Sequence, residues 1–145
     1  MKRASALVRL SRDHHQTLVA AQNLRRATAT SACQVRETFL AFWDHNGDRH
    51  FRIEEDVLLP TFAETGDAYD PLVARALCDH VAIRAAVAPL RKRSDPVLGD
   101  LRGLGERLAA HVRMEERELF PLIERTLPPI ELDLLADRVE RAELG

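Results

Sequence analysis

Cysteine is scarce in this 145-residue chain, which has only Cys33 and Cys78. Two thiols cannot form a disulfide framework, so the expected setting is reduced and cytoplasmic. Aromatic residues make up 5% of the chain and there are 6 glycines, a composition that disfavours an all-β fold. Neither charge sign is in excess: 21 Lys and Arg against 23 Asp and Glu leave −2. No nucleic-acid or anionic-membrane partner is therefore expected. Long apolar runs are also missing, and nothing approaches the roughly 18 residues of a membrane span. The apolar run after the basic N-terminus is broken by Arg9 and is too short for a signal-peptide core. No linker or low-complexity tract divides the chain, so the expectation is one domain over residues 1–145.

What remains is 46% hydrophobic and 30% charged, rich in the helix formers Ala, Leu, Arg and Glu. Disorder is excluded by that hydrophobicity. From Ser5 to about Thr30 there is neither Gly nor Pro, and Leu7, Leu10, His14, Leu18 and Ala21 recur at helical spacing. A second helix is predicted from about Ser31 to Glu64, bent or interrupted at Asp44–Asp48. Asp70-Pro71 reads as N-cap and first residue of a third helix, with Leu72, Ala76, His80, Ile83 and Val87 on one stripe. Ser94-Asp95-Pro96 starts a fourth by the same logic. Its stripe is Leu101, Leu104, Leu108, His111, Glu115 and Leu119. Gly99, Gly103 and Gly105 weaken its first turns, a feature compatible with close approach to a neighbour. After Pro128-Pro129 a short helix is predicted over Ile130–Ala142. The fold class is all-α: an antiparallel up-and-down four-helix bundle with a short additional C-terminal helix.

Two segments echo each other. His50-Phe-Arg-Ile-Glu54-Glu55 leads to Leu58 and Pro60; His111-Val-Arg-Met-Glu115-Glu116 leads to Leu119 and Pro121. Residues four apart on a helix differ by only about 40° in rotation, so each His-x-x-x-Glu presents an imidazole and a carboxylate together. The next Glu is turned a further 100° or so, which reads Glu55 and Glu116 as flanking or solvent residues. One such motif is commonly a surface ion pair. Two on core stripes are different, because a buried carboxylate without a cation costs several kcal/mol. His14 and His80 add an imidazole on each remaining helix. Inward His and Glu on four bundle helices is the arrangement of a dinuclear carboxylate centre. Imidazole and carboxylate without thiolate suits iron, and also manganese or zinc. His15 shares a polar side with Ser11 and Gln22, and His45 has Arg49 rather than a carboxylate four residues on, so neither is chosen.

These residues resemble the hemerythrin-like family, the HHE cation-binding domain, over nearly the whole chain. The family pattern is a first-helix His, a His-x-x-x-Glu, another His and a second His-x-x-x-Glu. The resemblance implies His14, His50, Glu54, His80, His111 and Glu115 around two oxo- or hydroxo-bridged non-haem iron ions, with both Glu residues bridging. Manganese or zinc is the lesser alternative. Oxygen-carrying members have a fifth His one turn after the third-helix His, and here that position is Arg84, which cannot ligate as a cation. Two six-coordinate irons offer about 12 positions; four His, two bridging carboxylates and an oxide fill about 10, leaving about 2 open. A more open centre favours chemistry on O₂, peroxide or NO over reversible carriage.

The expected function is thus di-iron binding with one of those small ligands, either as an enzyme-like redox activity or as a sensing module acting through a separate, unknown protein partner. A calcium-loop reading of Asp44-x-Asn46-x-Asp48 fails because position six is Arg49 instead of Gly. Cys33 and Cys78 read as packed thiols, and Trp43, Phe42, Phe39 and Tyr69 as core and rim. The prolines Pro60 and Pro121 are expected to kink or end their helices beyond otherwise regular metal-bearing turns.

Overall fold

The computed structural model describes residues 2–145, and these form five helices: α1 (Ser5–Arg25), α2 (residues 32–63), α3 (Pro71–Lys92), α4 (residues 98–126) and α5 (Pro129–Leu144). Cross-helix bonds fix an antiparallel order. Arg3, just before α1, and His14 and Arg25 along it meet Glu124, Glu115 and Glu106 of α4 in descending sequence. Asp13 and Gln16 of α1 meet His50 and Asn46 of α2. His80, Arg84 and Arg91 of α3 meet Glu55, Asp48 and Asp44 of α2, and Asp79 and Arg75 meet His111 and Glu118 of α4. The predicted bundle with its added C-terminal helix is what is observed. No helix among the described residues is long and apolar enough to cross a membrane.

A side-chain cap accounts for the start of α3. Asp70 accepts the Leu72 N–H at 2.8 Å, as the Asp-Pro signal predicts. The similar Ser94-Asp95-Pro96 signal does not start α4, which begins at Leu98 after an extended Val97. Arg36 of α2 donates to the carbonyls of Arg93 and Ser94 at 2.5 and 2.9 Å and holds this connection open. The α1 stripe also differs in one member: Thr17 is buried and Leu18 faces solvent, because a 3.6-residue period runs 14, 17, 21, 24. Cys33 and Cys78 are exposed free thiols rather than packed ones, and Tyr69 is 90% exposed on the loop after α2. Neither cysteine lies on its helix's inward stripe.

Two apolar clusters fill the bundle. One joins Leu7, Leu10, Leu58, Phe62, Phe120 and Ile123 to Leu135 and Val139 of α5. The other joins Leu24, Phe39, Trp43, Ile83, Leu101 and Leu104 at the opposite end. On α1, α3 and α4 the buried histidines fall between members of the two clusters, so the core is interrupted by a polar layer midway along the bundle.

The α2 and α4 helices each widen to a π-turn beside Pro60 and Pro121. Leu59 N–H reaches Glu54 O, and Phe120 N–H reaches Glu115 O. The prolines neither end nor break their helices. A widened turn absorbs the missing N–H and the ring clash with the carbonyl four back. The expected regularity of the metal-bearing turns holds only as far as the rungs from Glu54 to His50 and from Glu115 to His111. The irregular turn starts at the Glu itself. A third π-turn, Trp43–Gly47, lies where the interruption was expected, and a Cβ on Gly47 would stand 2.5 Å from Trp43 Cε3.

The glycines of α4 separate by role. A Cβ on Gly105 would lie 2.7 Å from Ala21 O and 3.0 Å from Arg25 N, both backbone atoms of α1. A Cβ on Gly103 would meet nothing within 4 Å. Gly105→Ala is expected to destabilise the fold by about 1–3 kcal/mol through overpacking. Gly103→Ala should stabilise it by about 0.4–1 kcal/mol by restricting the unfolded chain. Urea melts of the two variants check the opposite signs.

Candidate metal centre

All six residues singled out from the sequence meet in the polar layer, and all six are buried: Glu54 and Glu115 at 0% exposure, His80 and His111 at 1%, His14 at 3% and His50 at 5%. The competitors His15 and His45 are exposed. Each chosen side chain comes from the inward stripe of its own helix: one from α1, two from α2, one from α3 and two from α4.

The Nε2 atoms converge on the two carboxylates. His14 Nε2 lies 2.9 Å from Glu115 Oε1, His50 Nε2 3.0 Å from Glu54 Oε2, and His80 Nε2 2.9 Å from Glu54 Oε1. His111 Nε2 stands 3.4 Å from Glu115 Oε1 and 3.9 Å from Glu54 Oε1. Two groups emerge whose ligand atoms all lie within 4.8 Å of one another: His14, His50, Glu54 and Glu115, and His80, His111, Glu54 and Glu115. Both carboxylates belong to both groups.

The outer face of every imidazole is held by another carboxylate. Nδ1–H of His14 donates to Glu116 at 2.6 Å and that of His80 to Glu55 at 2.6 Å. Nδ1–H of His50 donates to Asp13 at 3.0 Å and that of His111 to Asp79 at 3.0 Å. An ionised carboxylate only accepts, so Nδ1 must carry the proton and Nε2 points inward. Of the two readings offered for Glu55 and Glu116, flanking holds and solvent-facing does not. A 100° rotation carries each off its own helix's inward stripe but toward the histidine of the neighbouring helix. Asp13 and Asp79 stand directly before His14 and His80 in the sequence, but that placement alone assigns them no role. The repeated Glu-Glu and Asp-His pairs were the available signal.

This layer is built for a positive guest. A neutral imidazole has one proton, yet His14, His50 and His80 face a carboxylate at both nitrogens, so a second proton or a cation must lie between Nε2 and the inner carboxylates. His111 Nε2 and Glu115 Oε2 are buried with no hydrogen-bond partner among the described residues, which is what a donor atom aimed at a metal would show. In the absence of metal His14, His50 and His111 hold the second proton tightly. Burial alone pushes His50 down, but the Glu54 charge and the bonds to Asp13 and Glu54 raise it to about 10. The same opposition, with Glu115 and Asp79 as partners, pushes His111 up to about 12 and His14 up with Glu115 and Glu116. Burial pushes Glu54 up, and the surrounding imidazoles overcome this and hold it well below the usual carboxylate range. The donor set, nitrogen and oxygen without sulfur, fits a hard to borderline transition ion.

Aromatic rings wall the layer. Phe51 stacks on His80 with centroids 3.8 Å apart and planes 10° apart, and Phe120 stacks on His14 at 5.3 Å. A cavity of about 10 Å³ borders His14, His50 and His111 and is otherwise lined mainly by apolar side chains including Trp43, Phe51 and Leu108. Arg84, at the position of a fifth histidine in oxygen carriers, turns toward the layer's edge. It donates to Glu55 at 2.7 Å and to Asp48 at 3.1 Å.

Searches of curated proteins and of solved structures returned no match. A family model described as the Hemerythrin HHE cation binding domain matches residues 6–123, a span that contains all six buried residues and stops short of α5. With that match over most of the chain and a buried His/Glu layer suited to a cation, the chain belongs to the hemerythrin HHE cation-binding domain family.

Proposed function

We propose that the chain binds two non-haem iron ions and acts on O₂, peroxide or NO. The carrying observation is that the two candidate ligand groups share both carboxylates. His14 and His50 would hold one ion, His80 and His111 the other, and Glu54 and Glu115 would serve both. Their two negative charges would offset part of the ions' charge in a buried layer. Iron bound there would supply one-electron redox chemistry.

The chain's own side chains do the rest. Asp13, Glu55, Asp79 and Glu116 fix the tautomer and the ring directions, so the four nitrogens need little reorganisation on binding. Phe51 and Phe120 hold the rings on their faces. The adjoining cavity of about 10 Å³ is on the scale of one water molecule, which supports a ligand of two or three atoms over an organic substrate. The free thiols Cys33 and Cys78 fit a reducing, cytoplasmic setting for this activity.

Anaerobic loading with Fe(II) tests the reading, with metal analysis after desalting. Two ions per chain are expected, with His50→Ala losing iron and His45→Ala retaining it. Equal losses in the two variants would contradict the ligand choice. The loaded protein is then given peroxide. Loss of peroxide over many equivalents supports an enzyme, whereas a single stoichiometric oxidation supports a sensor that signals through a partner.

A further inference from the structure

We propose that Arg84 is a positioning residue for His80, and that through His80 it sets how tightly one of the two ions, that of the His80–His111 group, is retained. The inference rests on the two-ion reading above. Arg84 lies one turn after His80 on α3. Its Nη1 donates to Glu55 Oε2 at 2.7 Å, and the same oxygen accepts Nδ1–H of His80 at 2.6 Å. Its Nε donates to Asp48 at 3.1 Å, so the guanidinium is tied to two carboxylates on α2. Its Cζ also lies 5.7 Å from the centroid of Phe51, the ring that stacks on His80 at 3.8 Å. Glu55 therefore fixes the imidazole in its plane and Phe51 fixes it on its face, and Arg84 touches both.

Two of the other three imidazoles lack this double hold, and the third has a looser version of it. His50 leans on Asp13, whose side chain is 43% exposed and has no arginine partner among the described residues. His111 leans on Asp79, which faces Arg75 only at 3.9 Å. His14 leans on Glu116, which accepts from Arg3 at 3.3 Å, and Arg3 Cζ lies 5.6 Å from the centroid of Phe120, the ring stacked on His14. This hold is looser, because the shorter contact of Arg3, 2.6 Å, goes to Glu124. Without Arg84, Glu55 would be drawn toward solvent, since its side chain is already 23% exposed, and His80 would lose its in-plane anchor. Losing an outer hydrogen-bond partner of a ligating histidine lowers metal affinity about 10- to 100-fold. Asp13 and Glu116, which hold the imidazoles of the other group, do not touch Arg84 among the bonds described.

The test is an anaerobic titration of the full chain with Fe(II) against a chromophoric chelator, for wild type, Arg84→Gln and Arg84→Lys. Wild type should take two ions. Arg84→Gln should weaken one ion by about 10-fold or more and leave the second within about twofold. Arg84→Lys should recover part of the loss, because it restores the charge but not the fork that spans Glu55 and Asp48. Glu55→Gln is the second variant and should reproduce the one-ion effect should Arg84→Gln fold poorly. A two-ion wild type with an unchanged Arg84→Gln isotherm, or with both ions weakened alike, overturns this inference alone. A wild type that never takes two ions overturns the parent reading and this inference with it.

Discussion

Glu54→Ala is expected to abolish uptake of both ions, while Glu55→Ala and Asp13→Ala only weaken it. Glu54 is fully buried and belongs to both candidate ligand groups, with Oε1 toward His80 and Oε2 toward His50. Removing it takes one donor from each ion and the negative charge they share. Stoichiometry after desalting should fall from two ions per chain to none. The metal-free protein should suffer as well. His50 and His80 would face a void instead of a carboxylate, and removing one partner of a buried ion pair costs about 3–5 kcal/mol. Glu54→Gln separates the two effects. It keeps the volume and a hydrogen-bonding oxygen, so the fold should survive, but without the charge the iron should still be lost. A Glu54→Gln chain that loads two ions with wild-type affinity would show that the shared carboxylate does not hold the metal.

Metal uptake is also expected to release protons and to be steeply pH-dependent. In the metal-free protein His50 is raised to about 10 and His111 to about 12, so both are imidazolium at pH 7.5. A metal ion requires the Nε2 lone pair, and each of these histidines must therefore give up a proton on binding. Calorimetry in buffers of different ionisation heat should show at least two protons released per chain at pH 7.5, since His14 is raised as well. Between pH 6 and 8, displacing at least two protons should raise the overall affinity by about 100-fold or more per pH unit. Uptake without proton release would mean that these imidazoles are not the ligands.

The same shifts set the stability of the metal-free protein. Histidine pKa values raised above the ordinary 6.5 give stabilisation that is complete below that value and is lost as pH rises through about 10 to 12. The depressed carboxylates Glu54, Glu116 and Asp79 give stabilisation present above their ordinary values and lost on acidification. The metal-free protein should therefore be most stable between these limits.

The inner six residues were legible because they obey a local rule. A His-x-x-x-Glu on an apolar stripe is set by helical period alone, and so is a lone histidine between leucines. His14 over His15 followed from the same count, as did His50 over His45. Residues that act between helices were harder to read. Glu55 and Glu116 sit off the inward stripe of their own helices, and only the antiparallel register brings each beside a histidine of a neighbour. Asp13 and Asp79 depend on that register too. The start of α4 was misplaced because Asp70-Pro71 and Asp95-Pro96 look alike in sequence. Arg36, some 60 residues away, decides the second case through the carbonyls it binds. The π-turns follow the same lesson: proline marks where a helix is strained, but whether it ends there or widens depends on what lies on either side. Here Leu58, Leu59 and Phe62 and the matching Leu119, Phe120 and Ile123 are buried in the core and carry the helix onward.

The most direct measurement is anomalous diffraction at the iron absorption edge from crystals of the Fe(II)-loaded protein. The account predicts two peaks about 3.5–4 Å apart, one beside the Nε2 atoms of His14 and His50 and the other beside those of His80 and His111, with Glu54 and Glu115 reaching both. A single peak, or iron bound anywhere outside this layer, would contradict it.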